Sequence, residues 1–385
     1  MKYNFDELIN RRNTGCVKWD ESPSPDVIPL WVADMDFAVA PAIQEAILRR
    51  AQHPVFGYTY VQDDYYDAVI SWFQRRHHWT IQREWIQYTI GVVPAMSVAI
   101  KALTMPGEKV LILSPDYNCF FSSVKNNGCE VLESVLRFCH SNNRFEVDWP
   151  SFEDCCADEK TTVFLLCNPH NPTGRIWTRE ELQRMADICH KHQVRIVSDE
   201  IHCELVMPDY TFCPMGTVDA DAIILNSPSK SFNIAGLMMA NIICQDAATR
   251  RRLNRAININ EVCDVNPFAP EAVKAAYNES EDWIDALNIY IHDNYRALCD
   301  FVAEHLPLWR VMPLEGTYLV WVDVSSVCCD SVATYCDRIL REARVWLNPG
   351  TMYGPQSGEG YLRINIACPR SLLLEALERI KNIKR

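Results

Sequence analysis

Short, strongly apolar runs separated by helix-length intervals constrain this chain more than any other feature. They occur at 109–113 (KVLIL), 130–132, 162–166 (TVFLL), 194–198 (VRIVS), 222–225 (AIIL) and 241–244 (NIIC). Runs of this length, rich in β-branched residues and leucine, read as strands buried on both faces. The clearest intervening helix is 178–192, where Thr178 and Glu181 have capping-box spacing ahead of LQRMADICHKH. Strand, helix and strand in this rhythm predict an α/β fold, a mostly parallel sheet wrapped by helices.

A large domain is expected over residues 50–280. Ahead of it, 1–49 is polar and punctuated by Pro23, Pro25 and Pro29 until Pro41 opens the helical pattern AIQEAILRRAQ. That composition suits an arm that also completes part of a smaller domain. Beyond 280 the pattern turns to one long helical segment, strands at 317–323 and 361–366, and a terminal helix, which predicts a smaller α+β domain over 281–385. A length of 385 residues suits two such units.

Acidic residues outnumber basic ones, giving a net charge of −13 with no basic stripe, so a small ligand is expected and nucleic acid is not. No run approaches the roughly 20 apolar residues of a membrane span, and MKYNFDELINRRNTG lacks the order of a signal peptide. A cytoplasmic protein without membrane partners is expected. The 17 cysteines are odd in number and never spaced CxxC, which favours reduced thiols filling the core over disulfides or zinc. GxGxxG, GxxxxGK[ST] and HExxH are all missing, and no metal site is expected.

Parallel strands deliver the residues just past their carboxyl ends to one edge of the sheet. After TVFLL comes Asn168-Pro-His-Asn-Pro-Thr-Gly174; after VRIV comes Ser198-Asp-Glu-Ile-His202; after AIIL comes Asn226-Ser-Pro-Ser-Lys230. One pocket is thus predicted to collect an amide, a carboxylate, an imidazole, hydroxyls and an amine. Pyridoxal 5′-phosphate asks for this inventory: a lysine for its aldehyde, a carboxylate for its ring nitrogen, a donor for its phenolic oxygen and hydroxyls for its phosphate.

At these residues the chain resembles the fold-type-I pyridoxal-phosphate enzymes of the aminotransferase superfamily, and within them the cystathionine β-lyase (C-S lyase) group. Further motifs carry the resemblance: Trp31-Val-Ala-Asp-Met-Asp-Phe37, Phe56-Gly-Tyr-Thr59, Gly91-Val-Val-Pro-Ala95, Pro115-Asp-Tyr117, Ser227-Pro-Ser-Lys-Ser-Phe-Asn-Ile-Ala-Gly236 and Arg363-Ile-Asn-Ile-Ala-Cys-Pro-Arg370. It implies a seven-stranded, mostly parallel sheet and α,β-elimination of a thioether. Lys230 would hold the cofactor covalently and serve as base, Asp199 would face the ring nitrogen, and Asn171 would donate to the phenolic oxygen, with His202 nearby. Tyr117 would stack on the ring. Val92, Val93, Ser227 and Ser229 would take the phosphate. Arg363, with Asp36, would bind substrate, and Tyr58 would reach in from the second subunit of a homodimer. Ser231 stands where the group more often has Thr, and Met238 where many aminotransferases place a phosphate-binding arginine, which favours the lyase group. An aminotransferase and a regulatory protein on the same scaffold are the alternatives.

Overall fold

A computed structural model describes residues 2–383. Its centre is a seven-stranded sheet of β1 (Ile86–Thr89), β2 (Lys109–Ser114), β3 (Glu130–Val135), β4 (Thr161–Cys167), β5 (Arg195–Asp199), β6 (Ile223–Asn226) and β7 (Ala240–Ile243). The spatial order is β1-β7-β6-β5-β4-β2-β3. Only β7 runs antiparallel to its neighbours; the remaining pairs are parallel. The strand that sequence reading missed, β1, is a short half-polar edge strand (IQYT), and such an edge needs no continuous apolar run.

Side chains alternate across the sheet. Leu111, Leu113, Phe164, Leu166, Ile196 and Ile224 enter one core, whereas Val110, Ile112, Val163, Leu165, Val197 and Ile223 enter another on the opposite face. Both faces are covered, which is why the strands read as unbroken apolar runs. Helices α1 (Pro41–Ala51), α2 (Asp63–His77), α3 (Val92–Leu103), α4 (Asn118–Asn126) and α5 (Arg179–Lys191) belong to these layers. The capping box of α5 forms as its spacing predicts: the Glu181 amide donates to the Thr178 hydroxyl at 3.2 Å and the Thr178 amide to the Glu181 carboxylate at 2.9 Å.

A second, four-stranded antiparallel sheet consists of β8 (Arg310–Val311), β9 (Leu319–Asp323), β10 (Asn348–Pro349) and β11 (Tyr361–Asn365), in the order β8-β9-β11-β10. Around it lie α6 (Glu281–His305), α7 (Val332–Ala343) and α8 (Arg370–Lys381). The chain's beginning is anchored here. Ile28 and Pro29 pair in parallel with Val345 and Trp346, and the Trp31 ring stacks on Trp346 at 4.3 Å. From that anchor residues 31–37 cross towards the carboxyl edge of the large sheet, where the Met35 amide donates to Asn233.

Among the described residues no helix is long and apolar enough to cross a membrane. Many of the cysteines are core residues, among them Cys156, Cys189, Cys203 and Cys368.

Candidate active site

Cys167 of β4, Asp199 of β5 and Leu225 of β6 lie level across the sheet. Just beyond that level the chain leaves each strand, and Asn171, Ile201, His202, Ser229 and Lys230 all line one cavity of about 250 Å³. Tyr117, the residue capping α4, and the amino-terminal turn of α3 close it. This is the crevice outside the strand ends where α/β sheets bind ligands.

Lys230 donates through Nζ to the Ala33 carbonyl at 2.6 Å, and the Tyr318 hydroxyl donates to the same oxygen at 3.0 Å. Burial holds the lysine's proton affinity below the ordinary value, against the opposing charge of Asp34 and with the help of Arg363. Asp199 is 5% exposed and accepts one backbone hydrogen bond, from the Ile201 amide at 3.1 Å. Among the described residues no cation forms an ion pair with it, and burial, against that hydrogen bond and the charge of Lys230, pushes its pKa up to about 7. A buried carboxylate in that condition lacks a positive partner.

His202 is 3% exposed, and its Nδ1 has no partner among the described residues. Burial, aided by the charges of Lys230 and Arg363, lowers its pKa to about 3, so the imidazole is neutral. Beside it Asn171 uses Oδ1 to accept from Arg363 Nη1 at 3.1 Å, which leaves the Nδ2 donor for a ligand. The other arginine arm donates to the Trp31 carbonyl at 2.9 Å, while Nε has no partner among the described residues. Burial likewise raises the Tyr117 phenol well above its usual pKa, and its ring faces the cavity as a neutral surface.

Gly91 caps α3 with φ +148°, a conformation that side chains rarely adopt, and lines the cavity with Val92 and Val93. A 12-residue helix that begins at a cavity wall presents unsatisfied first-turn N–H groups and the positive end of its dipole to an anion. Met238, at φ +54°, stands at the cavity edge where an arginine was one possibility. Besides Lys230 and His202, no basic residue lines the cavity among the described residues.

Four residues expected at the site do not line the cavity: Arg363 stays behind its wall, bonded to Asn171, and the other three are placed elsewhere. Ser227 is buried in the turn below Lys230; its hydroxyl donates to the Met239 carbonyl at 2.6 Å and accepts from the Ser229 amide at 3.1 Å, so it holds the turn and does not line the cavity. Asp36 does not line it either: its carboxylate is consumed by Lys18 at 2.7 Å, Arg11 at 2.6 Å and Trp19 Nε1 at 2.8 Å. It anchors the loop carrying Ala33. Tyr58 is 100% exposed and lies outside this cavity in the single chain. Conversely, Ala33 and Tyr318 escaped sequence reading. Ala33 acts through its backbone, which no side-chain inventory reveals, and Tyr318 reads as an ordinary strand-entry aromatic ahead of β9.

The family model for aminotransferase class I and II matches residues 25–380. The chain belongs to that family. Within it, the chain is 38% identical to cystathionine β-lyase PatB of Bacillus subtilis over 98% of its own length and 99% of the relative's. Identity to protein MalY of Escherichia coli is 32%, over 99% and 98%. Cystalysin from Treponema denticola, whose crystal structure contains a pyridoxal 5′-phosphate cofactor, superposes with a TM-score of 0.95 at 34% identity, covering 99% of this chain and 98% of that one. The cavity fits such a group on its own chemistry. Asp199 lacks a cation, His202 Nδ1 lacks a partner, Asn171 holds a spare donor, the α3 terminus suits a phosphate and Lys230 supplies an amine.

Proposed function

We propose that this chain is a pyridoxal 5′-phosphate-dependent carbon-sulfur lyase. It eliminates the thiol from L-cystathionine or a related cysteine thioether, giving a thiol, pyruvate and ammonia. The observation that carries this reading is a single cavity that joins the Lys230 amine, the buried Asp199 carboxylate, the Asn171 amide and the His202 imidazole. Near full-length similarity to PatB, named a cystathionine β-lyase, supports elimination as the chemistry.

When bound, the cofactor supplies an electron-withdrawing ring conjugated to the substrate nitrogen, which stabilises negative charge at Cα. The chain's residues do the rest. Lys230, with its proton affinity lowered, takes the proton from Cα at a pH where a solvent-exposed lysine stays charged. Asp199 opposes a positive ring nitrogen from a site of low dielectric, where a single charge acts strongly. Asn171 would donate to the phenolic oxygen, with His202 nearby, and Tyr117 would cover one ring face. The Val92 and Val93 amides with Ser229 hold the phosphate. Arg363, buried against the Tyr353 ring, meets the substrate carboxylate as a fixed guanidinium fork.

Tyr58 and its exposed neighbours Phe56 and Tyr60 belong, in this reading, to the interface of a homodimer, with Tyr58 entering the partner's cavity. Free thiols suit the reducing cytoplasm as its compartment. The function is tested by incubating purified holoenzyme with L-cystathionine and no keto acid. Sustained release of pyruvate and thiol is expected; one stoichiometric half-reaction that leaves the amine on the cofactor would sink the lyase reading in favour of transamination. Mixing Tyr58→Ala with Lys230→Ala subunits is expected to restore activity, because each hybrid dimer regains one complete site.

A further inference from the structure

Residues 31–37 are held mainly through their carbonyls. The Trp31 carbonyl accepts from Arg363 and Asn348, the Val32 and Asp34 carbonyls from Asn365, the Met35 and Phe37 carbonyls from Asn233, and the Asp36 amide donates to Ala367. Within that frame the Ala33 carbonyl alone is answered by the reactive amine, at 2.6 Å from Lys230 Nζ. The side chains of Asp34 and Asp36 fix the loop from its far side. Arg11 reaches both, at 2.6 Å each, and Lys18 reaches Asp36 at 2.7 Å and Asp34 at 3.6 Å. Lys18 is 0% exposed, an unusual burial for a lysine, and is sustained by that pairing.

We propose that the amino-terminal arm is a positioning device for Lys230: Arg11 and Lys18 clamp the loop through Asp34 and Asp36 so that the Ala33 carbonyl holds the lysine amine beside the substrate. The proposal rests on the reading of Lys230 as the reacting amine and adds residues to it that touch neither cofactor nor substrate. An amine that takes a proton from Cα has to stay near it, and a carbonyl on a cross-braced loop keeps it there without rotamer search. The clamp is also electrostatic. Two cations balance two carboxylates, and Asp34 is the acid whose charge acts most on Lys230. The other groups acting on that amine are Arg363 and Asp199 from the strands of the two sheets and Cys119 from α4, and the amine in turn acts on His202.

Two variants of the holoenzyme push this balance in opposite directions. Lys18→Met leaves the arm with excess negative charge, so the amine holds its proton more firmly. The acid limb of the kcat profile is expected to move up by about one pH unit, and kcat at neutral pH to fall about tenfold. Asp34→Asn removes negative charge at a partly exposed side chain, and the limb is expected to move down by a fraction of a unit. The pH titration of the bound cofactor's visible absorbance supplies a readout independent of turnover, and its midpoint is expected to shift with the same signs. Tyr318→Phe, which preserves packing while freeing the Ala33 carbonyl of its second donor, serves if Lys18→Met does not fold; it is expected to raise both midpoints. Shifts of the same sign for Lys18→Met and Asp34→Asn, or lowered stability with both midpoints unmoved, overturn the proposal. If Lys230→Ala retains the visible band of bound cofactor, the underlying reading of Lys230 fails instead.

Discussion

The floor of the cavity and the arm that crosses it each bury a carboxylate, with Asp199 5% and Asp36 4% exposed, yet the two ionise in opposite senses. Burial raises both. For Asp199 little answers it, and the pKa climbs to about 7. For Asp36 the charge and hydrogen bond of Lys18, the Trp19 indole and Arg11 outweigh burial and lower it. Equal desolvation therefore marks opposite purposes: a buried acid with its cation in place is structural, and one without a cation awaits a ligand.

The comparison is broken most severely by changes on the floor. Lys230→Ala is expected to cut pyruvate release about 10⁴-fold, the upper range for losing a positioned base, and to remove the visible band of the holoenzyme. Asp199→Asn is expected to lower kcat by about 10³-fold, as for a preorganised electrostatic partner, while stabilising the cofactor-free protein. The sign follows from linkage. An acid whose pKa rises on folding from 3.8 to about 7 makes the folded state lose stability as pH increases between those values. In urea titrations the apoprotein variant should gain up to about 4 kcal/mol near pH 8 and nothing near pH 4. Absence of any gain at high pH would show that Asp199 already has a cation.

On the arm the same substitution should do the reverse. Asp36→Asn leaves Lys18 with only the longer contact to Asp34 and is expected to cost about 3 kcal/mol at pH 7 in the same titrations. Because the folded pKa of Asp36 is depressed, its contribution is complete above 3.8 and fades as pH falls through the folded value, so the deficit should shrink in acid. Thr178→Ala, remote from both regions, calibrates the set. Losing the cap of α5 should cost about 1 kcal/mol of stability and leave kcat/KM unchanged.

The floor was legible in the amino-acid sequence because strand, turn and functional residue are contiguous there. Asn171, Asp199 and Lys230 come directly after three apolar runs, and parallel pairing makes their convergence a matter of register. The arm offered no such local signal. Asp36 stood in a recognisable motif, but whether its carboxylate faced the cavity or Lys18 depended on a partner 18 positions away that only folding brings near. Ser227 shows the same limit at shorter range: a hydroxyl beside the key lysine turned into its own loop.

From sequence alone, then, came all of the large sheet but its edge strand β1, the capped helix and the chemical inventory at the strand ends, since periodicity and chain direction are local properties of the polymer. Tertiary structure alone decided which carboxylate was neutralised, which amide donor stayed free and that a backbone carbonyl, Ala33, meets the reactive amine. Those outcomes depend on desolvation and on distances between residues far apart in the chain, such as the span from Ala33 to Lys230.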